Sequence, residues 1–117
     1  MVKNYKFDYH HEVDSLFLYK KNGKSKGSVE LGDLVFDFDY RLNLVGMQIL
    51  NASSFIEEVS GEADVKELLK NLKKCEVKQT TNKNLMIIHI TLTGIKKVQI
   101  PLTLPNIKYK SPSLAYA

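Results

Sequence analysis

Leu34, Phe36 and Phe38 alternate with Val35, Asp37 and Asp39, and Val45, Met47 and Ile49 repeat a two-residue period a few positions later. An extended chain puts successive side chains on opposite faces, so each run predicts a strand with one buried face. The joining Tyr40-Arg41-Leu42-Asn43 leaves room only for a reversal, and Asn43 tolerates the left-handed backbone region better than most residues. Two adjacent antiparallel strands are the expected outcome. A sheet with such a face must bury it against another layer, and this requirement constrains the rest of the chain.

The flanking runs extend the sheet. Tyr5, Phe7 and Tyr9 alternate with polar residues, and Leu16 and Leu18 begin a second run, which together predict a hairpin. Asn22-Gly23 is the strongest turn signal, since both residues accept positive φ and suit a tight hairpin bend. A strand over 28–31 and a turn at Gly32-Asp33 complete an antiparallel meander of about five strands. Val65, Leu68, Leu69 and Leu72 fall at helical spacing and predict one amphipathic helix over about 62–74, capped by Ser60 or Asp64. Then come a short strand over 77–80, a turn at Asn82-Lys83-Asn84, a long strand over 85–93 and a reversal at Gly94. Val98, Ile100, Leu102 and Leu104 form the last strand, and Pro101, which lacks an N–H, places it at an edge.

The fold class is therefore α+β: an antiparallel sheet of hairpin and meander strands, one helix packed on it, and a further strand hairpin. At 117 residues a single domain over 1–117 is expected. It comprises a β-rich part over about 5–58, a helix and C-terminal strands over about 61–104, and a tail over 105–117. Pro105 and Pro112 bracket that tail, whose Tyr109 and Tyr116 suit docking on a neighbouring subunit.

Tyr9, Glu12, Asp14 and Leu16, followed by Asp37, Asp39, Val45, Gly46, Ile49, Leu50, Ala52 and Ser53, give two motifs in fixed order. In them the chain resembles a small prokaryotic family of unknown function, domain of unknown function 2283. It departs from the family pattern at His10, where Asp is usual, at Leu42, where a turn Gly is common, and at Gln48, where Glu is usual. The resemblance implies a β-rich fold and no particular reaction. It also implies a small stand-alone protein, of a kind sometimes considered an antitoxin-like partner of a neighbouring small toxin.

Charge is uneven along the chain. Residues 1 to 60 carry seven basic and nine acidic side chains, net −2, whereas 61 to 117 carry ten and four, net +6. Lys66, Lys70, Lys73, Lys74 and Lys78 are candidates for a phosphate-contacting nucleic-acid patch, which would be salt-sensitive and sequence-tolerant. Arg41 is the sole arginine, so bidentate base reading is largely missing. A Lys-rich solvated surface explains the same residues more simply. The chain opens on a strand pattern without an apolar leader and has no apolar run long enough for a bilayer, so no membrane association and a cytoplasmic location are expected.

Asp37 and Asp39 share a strand face and, with His10 and His11, are the candidate metal ligands. The spacing matches no specific metal motif, and a polar strand face with a polar hairpin accounts for the same residues. Cys75, the single cysteine, forms neither a disulfide within the chain nor a paired-cysteine zinc site. No nucleophile elbow, phosphate loop or dinucleotide fingerprint occurs, so no catalytic residue and no cofactor are implied. The leading expectation is a non-catalytic, self-associating interaction module, a dimer for preference, with a small protein partner. A nucleic-acid-binding module and a metal-dependent enzyme are the alternatives.

Overall fold

The computed structural model describes residues 2–105. Eight strands form one antiparallel sheet in the order β3-β4-β5-β2-β1-β6-β7-β8. In chain order these are β1 Val2–His10, β2 Ser15–Tyr19, β3 Gly27–Leu31, β4 Leu34–Phe38, β5 Leu44–Ile49, β6 Lys74–Thr81, β7 Leu85–Thr93 and β8 Lys97–Pro105. Two helices, α1 Ala52–Ser60 and α2 Val65–Lys70, lie between β5 and β6.

Strand β1 joins two half-sheets. Its residues 6–10 pair with β2, Lys6 opposite Tyr19 and His10 opposite Ser15, while Val2 to Tyr5 pair with β6, Val2 opposite Lys78 and Tyr5 opposite Cys75. The sheet curls, and its inner face carries the core. The alternation read from sequence holds on β4, β7 and β8: Leu34, Phe36 and Phe38 are buried, as are Met86, Ile88, Ile90 and Leu92 on β7 and Val98, Ile100, Leu102 and Leu104 on β8, whereas Leu44 to Met47 of β5 are all buried. Ala52 and Ile56 of α1 and Val65, Leu68 and Leu69 of α2 join the same cluster and supply the second layer.

Three expectations are corrected. The single helix over 62–74 is instead α2, six residues long, preceded by a nine-residue α1 that the sequence reading assigned to the β-rich part. Lys73 and Lys74 lie beyond the helix, because Asn71 closes it with a backbone bond to Leu68 and the chain turns straight into β6. Nor do the first five strands form a simple meander. Strand β2 pairs with β1 and β5, not β3, so β2 to β5 make a Greek key in which residues 20–26 cross the end of the sheet. Asn22 does adopt positive φ, at 64°, but within this longer crossover. Burial decides the matter: pairing β2 between β1 and β5 covers Leu16 and Leu18 completely. The strand expected over 77–80 also runs longer, from Lys74 to Thr81.

Pro101 lies on the edge strand β8, opposite His89. Residues 106–117, including Tyr109, Pro112 and Tyr116 of the proposed docking tail, lie outside the described residues. No helix among the described residues is long and apolar enough to cross a membrane.

Candidate functional site

The motif residues that stand out in the sequence hold the fold together. Asp14, in the β1–β2 turn with φ of 52°, accepts hydrogen bonds on its carboxylate from Tyr9 Oη at 2.5 Å and from Ser53 Oγ at 2.7 Å. The Ser53 N–H also points at both carboxylate oxygens, at 3.1 and 3.2 Å, and Ala52 N–H donates to the Asp14 carbonyl at 2.8 Å. Asn51, the residue preceding α1, makes no side-chain cap, so Asp14 serves the helix N-terminus from a distant turn. Burial opposes ionisation of Asp14, but the Tyr9 and Ser53 hydrogen bonds and the nearby Lys66 hold its pKa below the ordinary value. An anion cannot also occupy that helix end.

The other motif carboxylates are engaged too. Asp37 accepts from Ser28 Oγ at 2.5 Å across the β3–β4 pair, and a Cβ at Gly46 would come within 3.2 Å of its Oδ2. Asp39 lies just past β4 and organises the turn, accepting Arg41 N–H at 2.8 Å and Asn43 N–H at 2.9 Å. Burial works against its ionisation and these bonds outweigh it, leaving the carboxyl below its usual pKa. His10 faces Asp8, with Nε2 to Oδ2 at 3.1 Å, and His11 faces Glu12 at 3.5 Å. Among the described residues no group of three or more His, Cys, Asp or Glu comes together. Cys75 is buried, and loss of solvent pushes its thiol up to about 12.

Of the five candidate nucleic-acid contacts, Lys66 and Lys70 lie on α2, Lys73 follows it, and Lys74 and Lys78 lie on β6. Lys70 pairs with Glu67 at 4.0 Å, Lys74 with Glu76 at 3.6 Å, and Lys66 acts on Asp14. Neighbouring carboxylates offset much of that patch.

A different set of cations converges where the half-sheets part. A cleft of about 670 Å³ is lined by Lys3 on β1, Lys20 just after β2, Tyr40 to Leu44 of the β4–β5 connection, and Gln79 and Met86 on β6 and β7. Its base includes buried Tyr5, Leu44, Val77 and Met86. Two side chains fasten the β4–β5 connection across the gap. Tyr5 Oη donates to Leu44 O at 2.7 Å. Gln79 Oε1 accepts Leu44 N–H at 2.8 Å while its Nε2 donates to Leu42 O at 3.1 Å, so one amide imitates a strand neighbour. Leu42 adopts φ of 63° and still packs against the core.

The rim is cationic. Lys3, Lys20 and Arg41 all line the cleft, and none has a carboxylate within salt-bridge distance among the described residues. Arg41 stacks over Tyr40 at 5.3 Å and donates from Nε to the Tyr40 hydroxyl at 3.0 Å. That contact leaves its two terminal nitrogens available to a ligand. Desolvation and the adjacent Lys3 lower the pKa of Lys20, with Asp39 acting the other way. The lining contains no Asp, Glu, His or Cys among the described residues. Sequence reading singled out Arg41 only as the sole arginine. Lys3 and Lys20 are 17 residues apart and meet only because β1 and β2 pair.

Residues 6–53 match the profile of a family described as protein of unknown function, DUF2283. An uncharacterised protein of Methanocaldococcus jannaschii is 40% identical over 92 residues, covering 79% of this chain and 75% of the relative. A protein of Methanosarcina mazei named putative hypoxanthine phosphoribosyltransferase is 25% identical over 118 residues, covering 88% of this chain and 91% of that one. No solved structure matches the chain. The matched segment contains the Tyr9–Asp14–Ser53 staple and the Asp37–Gly46 contact, and on these residues the chain belongs to the DUF2283 family of proteins of unknown function.

Proposed function

We propose that the protein is a small binding module whose cleft between β1, β6 and the β4–β5 connection takes a phosphate-bearing small anion. One observation carries the reading: Lys3, Lys20 and Arg41 converge on a cavity of about 670 Å³ without a neutralising carboxylate in its lining. Like charges brought to one concave surface cost free energy that an incoming anion recovers. The volume lies in the range of small-molecule sites, about 300–1,000 Å³, and a few convergent polar groups over an apolar base are what such sites present. The name of the Methanosarcina mazei relative, putative hypoxanthine phosphoribosyltransferase, points to the same class of phosphorylated ligand. Transfer chemistry is not part of the proposal.

Isothermal titration calorimetry with ribose 5-phosphate and with ribose tests the reading. Binding of the phosphate ester that weakens about tenfold or more in Arg41→Gln supports it. Equal heats for the two sugars, or an Arg41→Gln protein that binds as the native one does, contradict it.

A homodimer is the second reading. At β8, Pro101 and Pro105 withhold two N–H groups from a free edge, which hinders strand addition there. Edge strand β3 contains no proline, and its Glu30 and Leu31 are exposed. Among the described residues, pairing of two β3 edges is an open route to self-association.

A further inference from the structure

We propose that Lys20 is a carbonyl-reactive amine, so that the cleft takes a phosphorylated aldehyde or ketone as an imine on Lys20 Nζ with its phosphate on Lys3 and Arg41. The inference rests on the anion-binding reading of the same cleft and adds the chemistry of the ligand's other end.

Three observations converge on Lys20 rather than on lysines in general. It is only partly exposed and lines the cavity, whereas Lys24, Lys78 and Lys97 are exposed. Its backbone is fixed, because its N–H donates to Val45 O at 2.9 Å as β2 runs out beside β5. Its surroundings also favour the neutral amine that attacks a carbonyl. Lys3 from β1 is the adjacent cation, and burial keeps the Tyr5 hydroxyl of the same lining protonated. Asp39 is the one charged group that acts the other way on Lys20, and its carboxylate is already held by the N–H groups of Arg41 and Asn43. Desolvation next to a second cation is an established way to make a lysine nucleophilic near neutral pH.

The step balances without an oxidant or a further reactant. Neutral Lys20 Nζ adds to the carbonyl carbon, the carbonyl oxygen leaves as water with both amine protons, and a C=N bond replaces C=O. Water reverses the step, so the adduct is an equilibrium complex. The phosphate on Lys3 and Arg41 fixes the aldehyde end beside Lys20 and raises its effective concentration there. Cys75 is buried and does not compete as a nucleophile.

The test uses the full chain and pyridoxal 5′-phosphate as probe near neutral pH, with borohydride to fix the imine and peptide mapping to locate it. Lys20 is expected to be labelled about tenfold faster than exposed lysines such as Lys24 and Lys97. Pyridoxal, which lacks the phosphate, is expected to lose that preference. In Lys3→Gln, removal of the adjacent cation is expected to slow labelling of Lys20 while leaving the rate at Lys97 as it was. Labelling spread evenly over the lysines, or a Lys20 preference indifferent to the probe's phosphate, overturns the proposal. Even labelling in a protein whose calorimetry shows phosphate-ester binding removes the imine and keeps the anion site. Absence of calorimetric binding removes the anion site itself.

Discussion

Asp14 shows how a motif residue can look functional and be structural. From sequence it is one acidic residue among His10, His11 and Glu12. In the fold it is the acceptor for Tyr9, for the Ser53 hydroxyl and for the Ser53 N–H, 39 residues away. Each charge-assisted hydrogen bond of this kind contributes about 1.5–3 kcal/mol. Asp14→Asn keeps a residue that accepts positive φ while removing the charge, and is expected to lower stability by about 2 kcal/mol in chemical denaturation near neutral pH. Because the folded pKa is depressed, the native contribution is present above the unfolded value of about 3.9 and fades as pH falls through the lower folded value. The variant's deficit should therefore shrink in acid. A deficit that stays constant from pH 7 into the acid range would show that the charge of Asp14 is not what stabilises.

At the scale of elements, period-two alternation located β4, β7 and β8, because strand faces are written locally. Helix α1 escaped the sequence reading: Ala52, Phe55, Ile56 and Val59 fall at helical spacing, but the run directly follows a strand and carries no side-chain cap of its own. Its cap, Asp14, is remote in sequence. Strand order was not legible, because the partner of β2 is set by which pairing buries Leu16 and Leu18, not by the turn residues that follow it. The same non-local logic governs the β4–β5 connection, whose Leu42 O and Leu44 N–H are satisfied by Gln79 from the other half-sheet. Gln79→Ala removes both bonds at about 1 kcal/mol each, plus the cost of leaving buried Leu44 N–H unpaired. Loss of about 2–3 kcal/mol and faster amide exchange at Leu44 are expected. Unchanged exchange there would mean that the Tyr5 contact alone secures the hairpin.

For the whole molecule, the candidate site escaped the sequence because its three cations come from separate strands and turns and match no motif. The residues that a reader of motifs selects, Asp37 and Asp39, are committed to Ser28 and to the turn. Those selected for charge, Lys70 and Lys74, face carboxylates. The assembly question is separable from the cleft. If β3 edges pair, sedimentation should give a dimer, and replacing exposed Glu30 with Pro should return a monomer with the sheet's circular dichroism intact. A monomer for the native chain at every concentration would discard β3 pairing.

The most direct test of the account is a two-dimensional amide NMR titration of the native chain with ribose 5-phosphate. Saturable shifts should concentrate at Lys3, Lys20, Arg41 to Leu44 and Gln79. The α1 N-terminus at Ser53 should stay still, because Asp14 already occupies it. Shifts centred on Lys66 to Lys78, or no saturable shift at the cleft, would contradict a phosphate-binding cleft at the join of the two half-sheets.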